Sequence, residues 1–570
     1  MRFIRLPGAA LLLAPGVAHA QAAPNDSADQ PIVVTAQRLD VARDSIQPAI
    51  GASTTTIARA QLEAQPGGLD RDMNKVLQQA PGVDQDADND GGVHVRNEHL
   101  NVQYRLDGIV LPESFAGFGP PVDTRIASSI QVITGTLPAQ YGLRTAGVVA
   151  LTTLTSRFDL DGDVGVYGGS HGTIQPSASI RDAFGKLNVF ASGSYYHSDI
   201  GIEAPTPDRK VLHDKTNQWR GFGYASYVLS DSSRLTAFGG SEVGKFQIPN
   251  TPGQQPQFTL NGRTDFNSAL LDQNERNQTH FGVLSYQYSG DGLDLQIAPF
   301  VRSARAHYTP DLAGGLLLFN GADSDLLQKS LAWGGQADAS LKLGSAHTVR
   351  FGLYFSHEHV RSDSISRVFP VDANGDQASD VPLVVPVHEQ VTGKTWSAYL
   401  QDEWKLGDTL TFNYGVRYDH FSAGHVSEGQ LSPRAGLVWK PTPGTTVHLG
   451  YARYFSPPPL ELIGANDVAA FVGTTGESPS LVADPVRAQR EHSFDVGVQQ
   501  VVGPLTLGAD VYYKIARNLL DEGQFGGTQI QTPFNYAKAH TWGVELTANY
   551  EHGPLEAYLN VARGQQKATR

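Results

Sequence analysis

The stretch LTFNYGVRYDH at residues 410–420 alternates strictly between two kinds of side chain. From 410 to 419, the even-numbered positions are apolar or aromatic and the odd-numbered positions are polar or glycine. Because successive side chains of a β-strand point to opposite faces, this period of two predicts a strand with one apolar face. The segment 541–550 repeats the division, with Glu545 on its polar face. A soluble sheet with one solvent-exposed face would show the same alternation. These segments therefore predict strands but do not show whether the sheet lies in a membrane.

The connections between such strands are more specific than the strands themselves. Short polar turns are predicted near 182–185, 230–233, 289–292, 344–346, 407–408, 441–444, 502–504 and 551–554. Long stretches lie between them, near 198–216, 245–276, 306–329, 361–390, 456–487 and 518–533. Outer-membrane barrels have short periplasmic turns and long extracellular loops, whereas a propeller or a sandwich has no reason to separate loops by length. We therefore predict a membrane β-barrel over 158–570.

Composition narrows the classes of function. The 570 residues include 43 basic and 57 acidic side chains, for a net charge of −14, and no basic cluster, which disfavours a nucleic-acid partner. Cysteine is absent, so disulfides, thiolate metal sites and cysteine nucleophiles are excluded. After the N-terminal segment no run of about 18 apolar residues occurs, which excludes a helical span. The mean hydropathy of −0.26 is still compatible with a barrel, because alternation hides the apolar face.

The N-terminus has the three parts of an export signal. Two arginines supply positive charge, residues 9–17 are mostly apolar, and Ala18-His19-Ala20 offers small residues for cleavage. The proline, asparagine and aspartate that follow disfavour a buried helix start. We therefore predict a signal peptide over 1–20.

A polar leader follows, and it contains one β-branched segment. Residues 21–31 are too poor in apolar groups to bury anything, so we expect a mobile leader over 21–45. Within it, Ile32-Val33-Val34-Thr35-Ala36 is isolated between polar stretches. Its chemistry fits two alternatives, an ordinary edge strand or a strand that adds to another protein.

Residues 46–157 have the pattern of a small mixed α/β domain. A helical stretch at 70–79 is stopped by Ala80-Pro81-Gly82. Short strands are predicted after it, at 93–96, 102–106, 130–134 and 148–152.

Several short motifs stand in order ahead of the predicted barrel. They are IVVTA at 32–36, VLQQAPGV at 76–83, LDG at 106–108, and SIQVITG with AQYG within 129–142. In this order and spacing they resemble the TonB box and the plug signatures of the TonB-dependent receptors, the energised importers of the bacterial outer membrane. The resemblance covers nearly the full chain.

The resemblance implies a small α/β plug domain inside a 22-stranded antiparallel membrane barrel, in the outer membrane of a Gram-negative bacterium. It implies that the box pairs with the periplasmic TonB protein, whose pull loosens the plug, and that outer-membrane lipid surrounds the barrel. The ligand would be a small molecule held at the outward rim, such as a metal chelate. Energised uptake of a scarce nutrient, for example a ferric siderophore, is the implied function. The alternatives are a passive or structural porin-like barrel and a non-functional truncated receptor.

The predicted barrel departs from that family pattern at its end. Following the turns and loops gives roughly 17 strands by about residue 564. An odd antiparallel count does not close easily, and the strand at 555–561 has no downstream partner before the chain ends. The family's terminal aromatic residue is missing as well, so the sequence predicts a barrel that is truncated by roughly five strands.

The segment after Asp107-Gly108 is the predicted ligand contact. Glu113, Phe115 and Phe118 lie there among prolines and glycines. A rigid loop with two aromatic side chains and one carboxylate suits an exposed recognition apex. A loop that merely fills the pore is an equally open alternative.

Two acidic turns resemble cation loops only in part. Asp86, Asp88 and Asp90 precede a glycine as in a calcium loop, but position twelve is Asn97, where a bidentate glutamate is wanted. The turn at 372–376 has a similar pattern. We favour solvated acidic turns over calcium sites and predict no other cofactor.

Two further patterns suggest chemistry but fit structural roles better. GGSHG at 168–172 fits the hydrolase elbow around Ser170, yet a strand follows where a helix is required, so a hairpin tip is predicted. His357 and His359 share one strand face at a spacing compatible with a metal, but that face is apolar, so we place them where the strand leaves the lipid. Without an HExxH motif or a phosphate-binding glycine loop, the chain is predicted not to be an enzyme.

Overall fold

The computed structural model describes residues 30–46, 53–85, 93–98, 101–111, 122–154, 159–202, 206, 211–424, 426–460, 470–477, 486–524 and 531–569, with backbone alone at 30–33, 522–524 and 531–533. Glu113, Phe115, Phe118 and the Asp86, Asp88, Asp90 turn lie outside these residues, as does the predicted signal peptide.

The N-terminal part forms three helices and seven short strands within the described residues. The helices are α1 (Gln30–Ile46), α2 (Arg59–Ala64) and α3 (Met73–Leu77), with 3₁₀ turns at Gly68–Asp70 and Thr124–Ile126. The strands are β1 (Thr54–Ala58), β2 (Val83–Gln85), β3 (Val93–Val95), β4 (Val102–Leu106), β5 (Ile109–Val110), β6 (Ala127–Ile133) and β7 (Gly147–Thr153).

Five of these strands make one mixed sheet, in the order β1-β6-β7-β4-β5. β4 runs parallel to β7, and the other pairs are antiparallel. Helix α3 begins where the Asp72 carboxylate accepts a hydrogen bond from the Asn74 amide at 2.9 Å. Its buried Val76 belongs to the same apolar core as Ile130 and Val149 of the sheet. The predicted small α/β domain is confirmed, although α3 is shorter than the helix expected over 70–79.

Seventeen strands follow and form the barrel. They are β8 (Asp161–Gly168), β9 (Ile174–Phe184), β10 (Leu187–Ser198), β11 (Thr216–Ser230), β12 (Ser233–Gln247), β13 (Asn274–Gly290), β14 (Leu293–Thr309), β15 (Ala322–Leu343), β16 (His347–Val368), β17 (Leu383–Lys405), β18 (Leu410–Ala423), β19 (Val426–Thr442), β20 (Thr445–Ser456), β21 (Gln489–Val502), β22 (Leu505–Gln524), β23 (Gln531–His552) and β24 (Leu555–Thr569). A short helix α4 (Gly315–Asn320) and a 3₁₀ turn at Ser268–Leu270 lie in the loops.

Alternation places apolar side chains outside and polar ones in the lumen. On β23, Trp542 and Leu546 are exposed, whereas Glu545 between them is 1% exposed. On β18, Arg417 and Asp419 are buried toward the lumen, as the pattern at 410–420 predicts. An outward apolar surface with an inward polar one is the arrangement of a membrane barrel.

Loop length separates the two rims as predicted. The eight expected short turns are confirmed, at 185–186, 231–232, 291–292, 344–346, 406–409, 443–444, 503–504 and 553–554. We call this the short-turn rim and the opposite one the long-loop rim. One connection on the long-loop rim, at 424–425 between β18 and β19, is short against expectation.

The strand count of 17 is confirmed, and among the described residues no run of paired residues like those of the other sixteen neighbouring pairs joins the last strand, β24, to the first, β8. The strand order runs around a closed barrel in which β24 is followed by β8. Sixteen neighbouring pairs alternate in direction, so β24 and β8 point the same way at this seam. Neither strand contains a buried residue, so the seam is the least packed part of the wall.

Helix α1 occupies residues 30–45 of the predicted mobile leader, and residues 21–29 lie outside the described residues. Residues 30–46, including the backbone of the IVVTA motif, are helical rather than extended, and α1 packs inside the barrel against β11, β13, β14 and β15. Leu39 and Ile46 are buried there. None of the helices in the described part of the chain is both long and apolar enough to cross a membrane.

Candidate functional site

The candidate site is the interface where the plug domain meets the barrel lumen. Arg96, in the turn after β3, is its central residue and is 1% exposed. Its guanidinium donates to both carboxylate oxygens of Glu545, at 2.9 and 2.8 Å, and to Asp495 Oδ2 at 2.9 Å. It also lies over the ring of Tyr512, 4.4 Å from the centroid. One plug side chain thus joins β21, β22 and β23.

Two glycine turns of the plug press against the same carboxylates. Gly82 of the PGV turn has φ +69°, and a Cβ there would come within 2.5 Å of Glu545 Oε1. Gly135 of the ITG turn has φ +86°, and a Cβ there would lie 3.0 Å from Asp495 Oδ1. Both positions need the backbone freedom and the small size of glycine. The two motifs therefore meet the barrel at the residues that hold Arg96.

Electrostatics keep Arg96 charged. Burial alone would lower the pKa of Arg96, but the carboxylates of Glu545 and Asp495 outweigh it and raise that pKa above its ordinary value. Removal of one partner of such a buried ion pair strongly destabilises a protein, because the other charge stays buried without compensation. The interface is therefore a firm attachment of the plug.

A second ion cluster lies beside the first. Lys514 on β22 is 2% exposed as a side chain and donates to Glu98, which follows the Arg96 turn. Its Nζ lies 3.7 Å from Glu491 Oε1 on β21. The short segment 96–98 therefore contributes one cation and one anion to the wall.

The plug segment between β6 and β7 is held by a third set of contacts. The Tyr454 hydroxyl accepts from the Leu137 amide at 2.6 Å and donates to the Gly135 carbonyl at 3.1 Å. Arg434 donates to the carbonyl oxygens of Leu137, Pro138 and Tyr141. These carbonyl oxygens take no part in a strand ladder, and the barrel side chains supply their hydrogen-bond donors inside the lumen.

Helix α1 is attached to the plug and to the wall. The Asp40 carboxylate accepts from Arg234 of β12 at 2.6 Å, and Ser45 donates to Asp294 of β14 at 2.6 Å. Arg43 lies 3.2 Å from Asp107 of the plug. Burial opposes the charge of Arg43, but the neighbouring carboxylates raise its pKa above the ordinary value. Ion pairs therefore hold the segment that includes the IVVTA motif inside the lumen.

Asp107 connects α1 to two strands of the plug sheet. With Gly108 it forms the tight β4–β5 turn, at φ +51° and +81°. Its carboxylate also accepts from the Thr153 amide and hydroxyl, at 2.9 and 2.7 Å. One carboxylate therefore joins the β4–β5 turn and β7 to α1.

A polar cavity of about 720 Å³ separates the plug sheet from the wall on the short-turn side. Arg43, Arg105, Lys342, Arg350 and Glu403 are among the residues that line it. The cavity lies beside the sheet on the side where α1 is held.

The other predicted residues occupy several different places. In the box, Val34 is 63% exposed and Ala36 is buried. Ser170 lies in the predicted hairpin tip between β8 and β9, where Gly169 donates to the Thr173 carbonyl at 3.0 Å.

The histidine pair and the second acidic turn have ordinary structural partners. His357 stacks on Trp333 at 5.2 Å, and His359 meets Thr392 at 3.0 Å, both on the outer face of β16. Asp372 accepts from the Asn374 and Asp376 amides, and these backbone hydrogen bonds hold the pKa of its carboxyl below the usual range. The Asp372 carboxylate therefore already accepts hydrogen bonds within its own turn.

Sequence reasoning placed the charged residues of the strands on polar faces but did not identify them as part of a site. Their one sequence signal is a charged residue at a polar position of an alternating strand, as with Glu545, Arg417 and Asp495. Their plug partners lie hundreds of positions away, so the pairing itself has no local signal.

Comparisons with known proteins agree with this architecture. The chain matches the family described as TonB dependent receptor-like, beta-barrel, over residues 206–567, and the TonB-dependent Receptor Plug Domain over 48–149. A curated relative, the TonB-dependent transporter Oar of Myxococcus xanthus, is 30% identical over 113 residues. That match covers 17% of this chain and 11% of the relative.

Solved structures share the fold at low identity. The ferric yersiniabactin uptake receptor of Yersinia pestis has a TM-score of 0.68 and 16% identity, over 91% of this chain and 80% of that one. The FrpB iron transporter of Neisseria meningitidis has a TM-score of 0.67 and 15% identity, over 91% and 81%. With a plug seated in a strand barrel and a barrel match over more than half of its length, the chain belongs to the TonB-dependent receptors, a family of outer-membrane transporters and not of enzymes.

Proposed function

We propose that this chain imports a scarce small molecule across the outer membrane, with energy supplied through the TonB protein, and that a ferric siderophore is its ligand. The observation that carries the proposal is the storage of α1 in the lumen by ion pairs to both plug and wall. A passive pore has no need for such a segment.

The contacts of α1 suggest how a pull reaches the plug. Arg43 pairs with Asp107, which is anchored to Thr153 of β7. A force on residues 32–36 would therefore act on the central strands of the plug sheet through one ion pair. The cavity beside that sheet offers room for it to shift.

Release of α1 is the step that would make residues 32–36, the proposed TonB box, available to TonB. As a helix, residues 32–36 satisfy their own backbone hydrogen bonds and cannot add a strand to a partner. We infer that α1 leaves its lumen position and unwinds before pairing with TonB. The ion pairs of Asp40 and Arg43 would have to break first.

The ligand class rests on the fold neighbours. Structures that share this fold include a ferric yersiniabactin uptake receptor, an alcaligin receptor and a siderophore receptor. Those ligands belong to the neighbouring proteins, and they make iron chelates the first class to test here.

The test is uptake by cells that depend on this chain for iron. Cells carrying the wild-type chain or a deletion of Ile32–Ala36 would be given a panel of radiolabelled ferric siderophores. We expect uptake of at least one chelate with the wild-type chain, and its loss with the deletion while surface binding persists. A matched control deletes five residues of the leader at 24–28, which should leave uptake unchanged.

The runner-up function, a passive or structural barrel, predicts the opposite result. Uptake that survives both the box deletion and collapse of the proton-motive force would refute the energised importer. Binding of no iron chelate, together with energised uptake of another nutrient, would refute the siderophore class and keep the transport mechanism.

A further inference from the structure

A row of lumen-facing side chains crosses four neighbouring strands beside the plug. His448 on β20 is the register partner of Gly497 on β21, Gly497 pairs with Asp510 on β22, and Asp510 pairs with Glu545 on β23. Asp495 lies two residues before Gly497 on the same face of β21. The row brings one imidazole and two aspartates together near the short-turn rim.

The three donor atoms have the separations of a metal-ligand set. His448 Nε2 lies 2.8 Å from Asp495 Oδ1 and 3.1 Å from Asp510 Oδ1. All three atoms lie within 4.8 Å of one another. Ligand atoms about 2.0–2.2 Å from a zinc ion are themselves roughly 3 Å apart, so a small outward shift would admit the ion.

Asp510 supplies an independent observation. The residue is 8% exposed, and the nearest donor to its Oδ1 among the described residues is His448 Nε2, at 3.1 Å and without good hydrogen-bond geometry. A buried carboxylate oxygen that has only one poorly aligned donor is costly, and here that donor is shared with Asp495. A bound cation would satisfy that oxygen.

Gly497 makes the approach of these side chains possible. A Cβ at this position would lie 2.1 Å from Asp510 Oδ1 and 2.4 Å from His448 Cε1. Both side chains therefore occupy the space above the glycine, and an alanine would exclude one of them. The strand thus carries a small residue at the point where the donors converge.

Charge balance favours a divalent cation as the occupant. Three carboxylates, those of Asp495, Asp510 and Glu545, share this wall with one guanidinium, that of Arg96. Before His448 is counted, these groups carry two excess negative charges, which one divalent ion would offset. Asp495 has an oxygen for each role, since Oδ2 accepts from Arg96 while Oδ1 faces His448.

We propose that His448, Asp495 and Asp510 form a binding site for a zinc-class divalent ion, with a water at the fourth position. Imidazole with carboxylates and an open position is a ligand set that zinc accepts. The ion would join β20, β21 and β22. Through Asp495 it would also orient the contact to Arg96, as an outer partner of the metal. The site is independent of the transport function proposed above.

The test is metal binding by the purified full-length chain in detergent. After chelator treatment, the protein would be titrated with Co²⁺, whose visible absorption reports bound imidazole and carboxylate ligands, and then with Zn²⁺ as competitor. We expect one ion per chain for the wild type. His448→Gln should weaken binding by more than about 100-fold, since even outer-shell changes cost about 10–100-fold.

Two further variants and one control keep the result interpretable. Asp510→Asn and Gly497→Ala should each lose the absorption, the second without changing a ligand. His307→Gln is the matched control, because His307 also faces a carboxylate, that of Asp325 at 3.0 Å, and it should bind as the wild type does. Heat-modifiable gel mobility identifies folded barrels, and only folded variants are compared.

Two outcomes would overturn the proposal. One is a wild-type chain that takes up no Co²⁺ or Zn²⁺ beyond nonspecific binding, which would leave His448 as an imidazolium between two carboxylates. The other is equal binding by the wild type and a folded His448→Gln chain, which would place the ion elsewhere.

Discussion

Replacement of Arg96 by methionine tests whether the buried ion cluster holds the plug in the lumen. Methionine keeps much of the apolar length of the side chain and removes the three charge-assisted hydrogen bonds to Glu545 and Asp495, whose lengths are 2.8–2.9 Å. Two carboxylates that are at most 2% exposed would lose their cation. Removal of one partner of a buried ion pair costs about 3–5 kcal/mol, so we expect this loss in the free energy of plug opening.

The assay uses the absence of natural cysteine. Ala127 on β6 is fully buried in the plug, so a cysteine placed there reacts with a maleimide only when the plug opens. If opening is fast relative to labelling, a cost of 3–5 kcal/mol speeds labelling by roughly 100- to 4,000-fold, since about 1.4 kcal/mol corresponds to tenfold.

A surface ion pair provides the control for this assay. Arg361 and Asp363 are 2.7 Å apart on β16, and the arginine side chain is half exposed. Such pairs contribute about 0–1 kcal/mol, so Arg361→Met should change labelling by less than about tenfold. A similarly small change for Arg96→Met would refute the view that this cluster anchors the plug.

Three other substitutions test separate parts of the structure. Gly82→Ala should lower the free energy of plug opening by about 1–3 kcal/mol in the same labelling assay, because the new Cβ would lie 2.5 Å from Glu545 and the backbone φ there is +69°. Labelling at the wild-type rate would contradict this. Arg43→Gln should loosen α1, because the charge opposite Asp107 is lost, and should make residues 30–46 sensitive to a protease that spares the wild type. Leu353→Arg, at an outer position 63% exposed, should destabilise the barrel in vesicles by about 2–4 kcal/mol in urea titrations, and no change would argue against lipid contact there.

The barrel was predictable because its determinants are local. Alternation within ten residues decides which face of a strand is apolar, and this placed Arg417 and Glu545 in the lumen correctly. Turn chemistry located all eight short turns. The meeting of β24 with β8 was not predictable, because these strands lie at opposite ends of the barrel sequence.

Helix α1 shows where local reasoning fails. The β-branched residues Ile32, Val33 and Val34 suggested an extended segment, but the residues after them, such as Ala36 and Leu39, favour a helix and are buried against the wall. Packing inside the lumen overrides the strand preference of the first turn.

The plug contacts were invisible to sequence reasoning for a different reason. Arg96 pairs with residues 399 and 449 positions away, and an arginine in a short turn looks like any solvated residue. One sequence contains no information on such distant pairing. The predicted ligand residues Glu113, Phe115 and Phe118 remain predictions.

The central claim, that α1 must leave the lumen for import, is tested most directly by locking it in place. Ser45 and Asp294, whose side chains are 2.6 Å apart, would both be replaced by cysteine and joined by mild oxidation in cells. We predict that the cross-linked chain still binds the transported ligand at the surface but imports none, and that a reductant restores uptake. Import at the wild-type rate through a fully cross-linked chain would contradict the account.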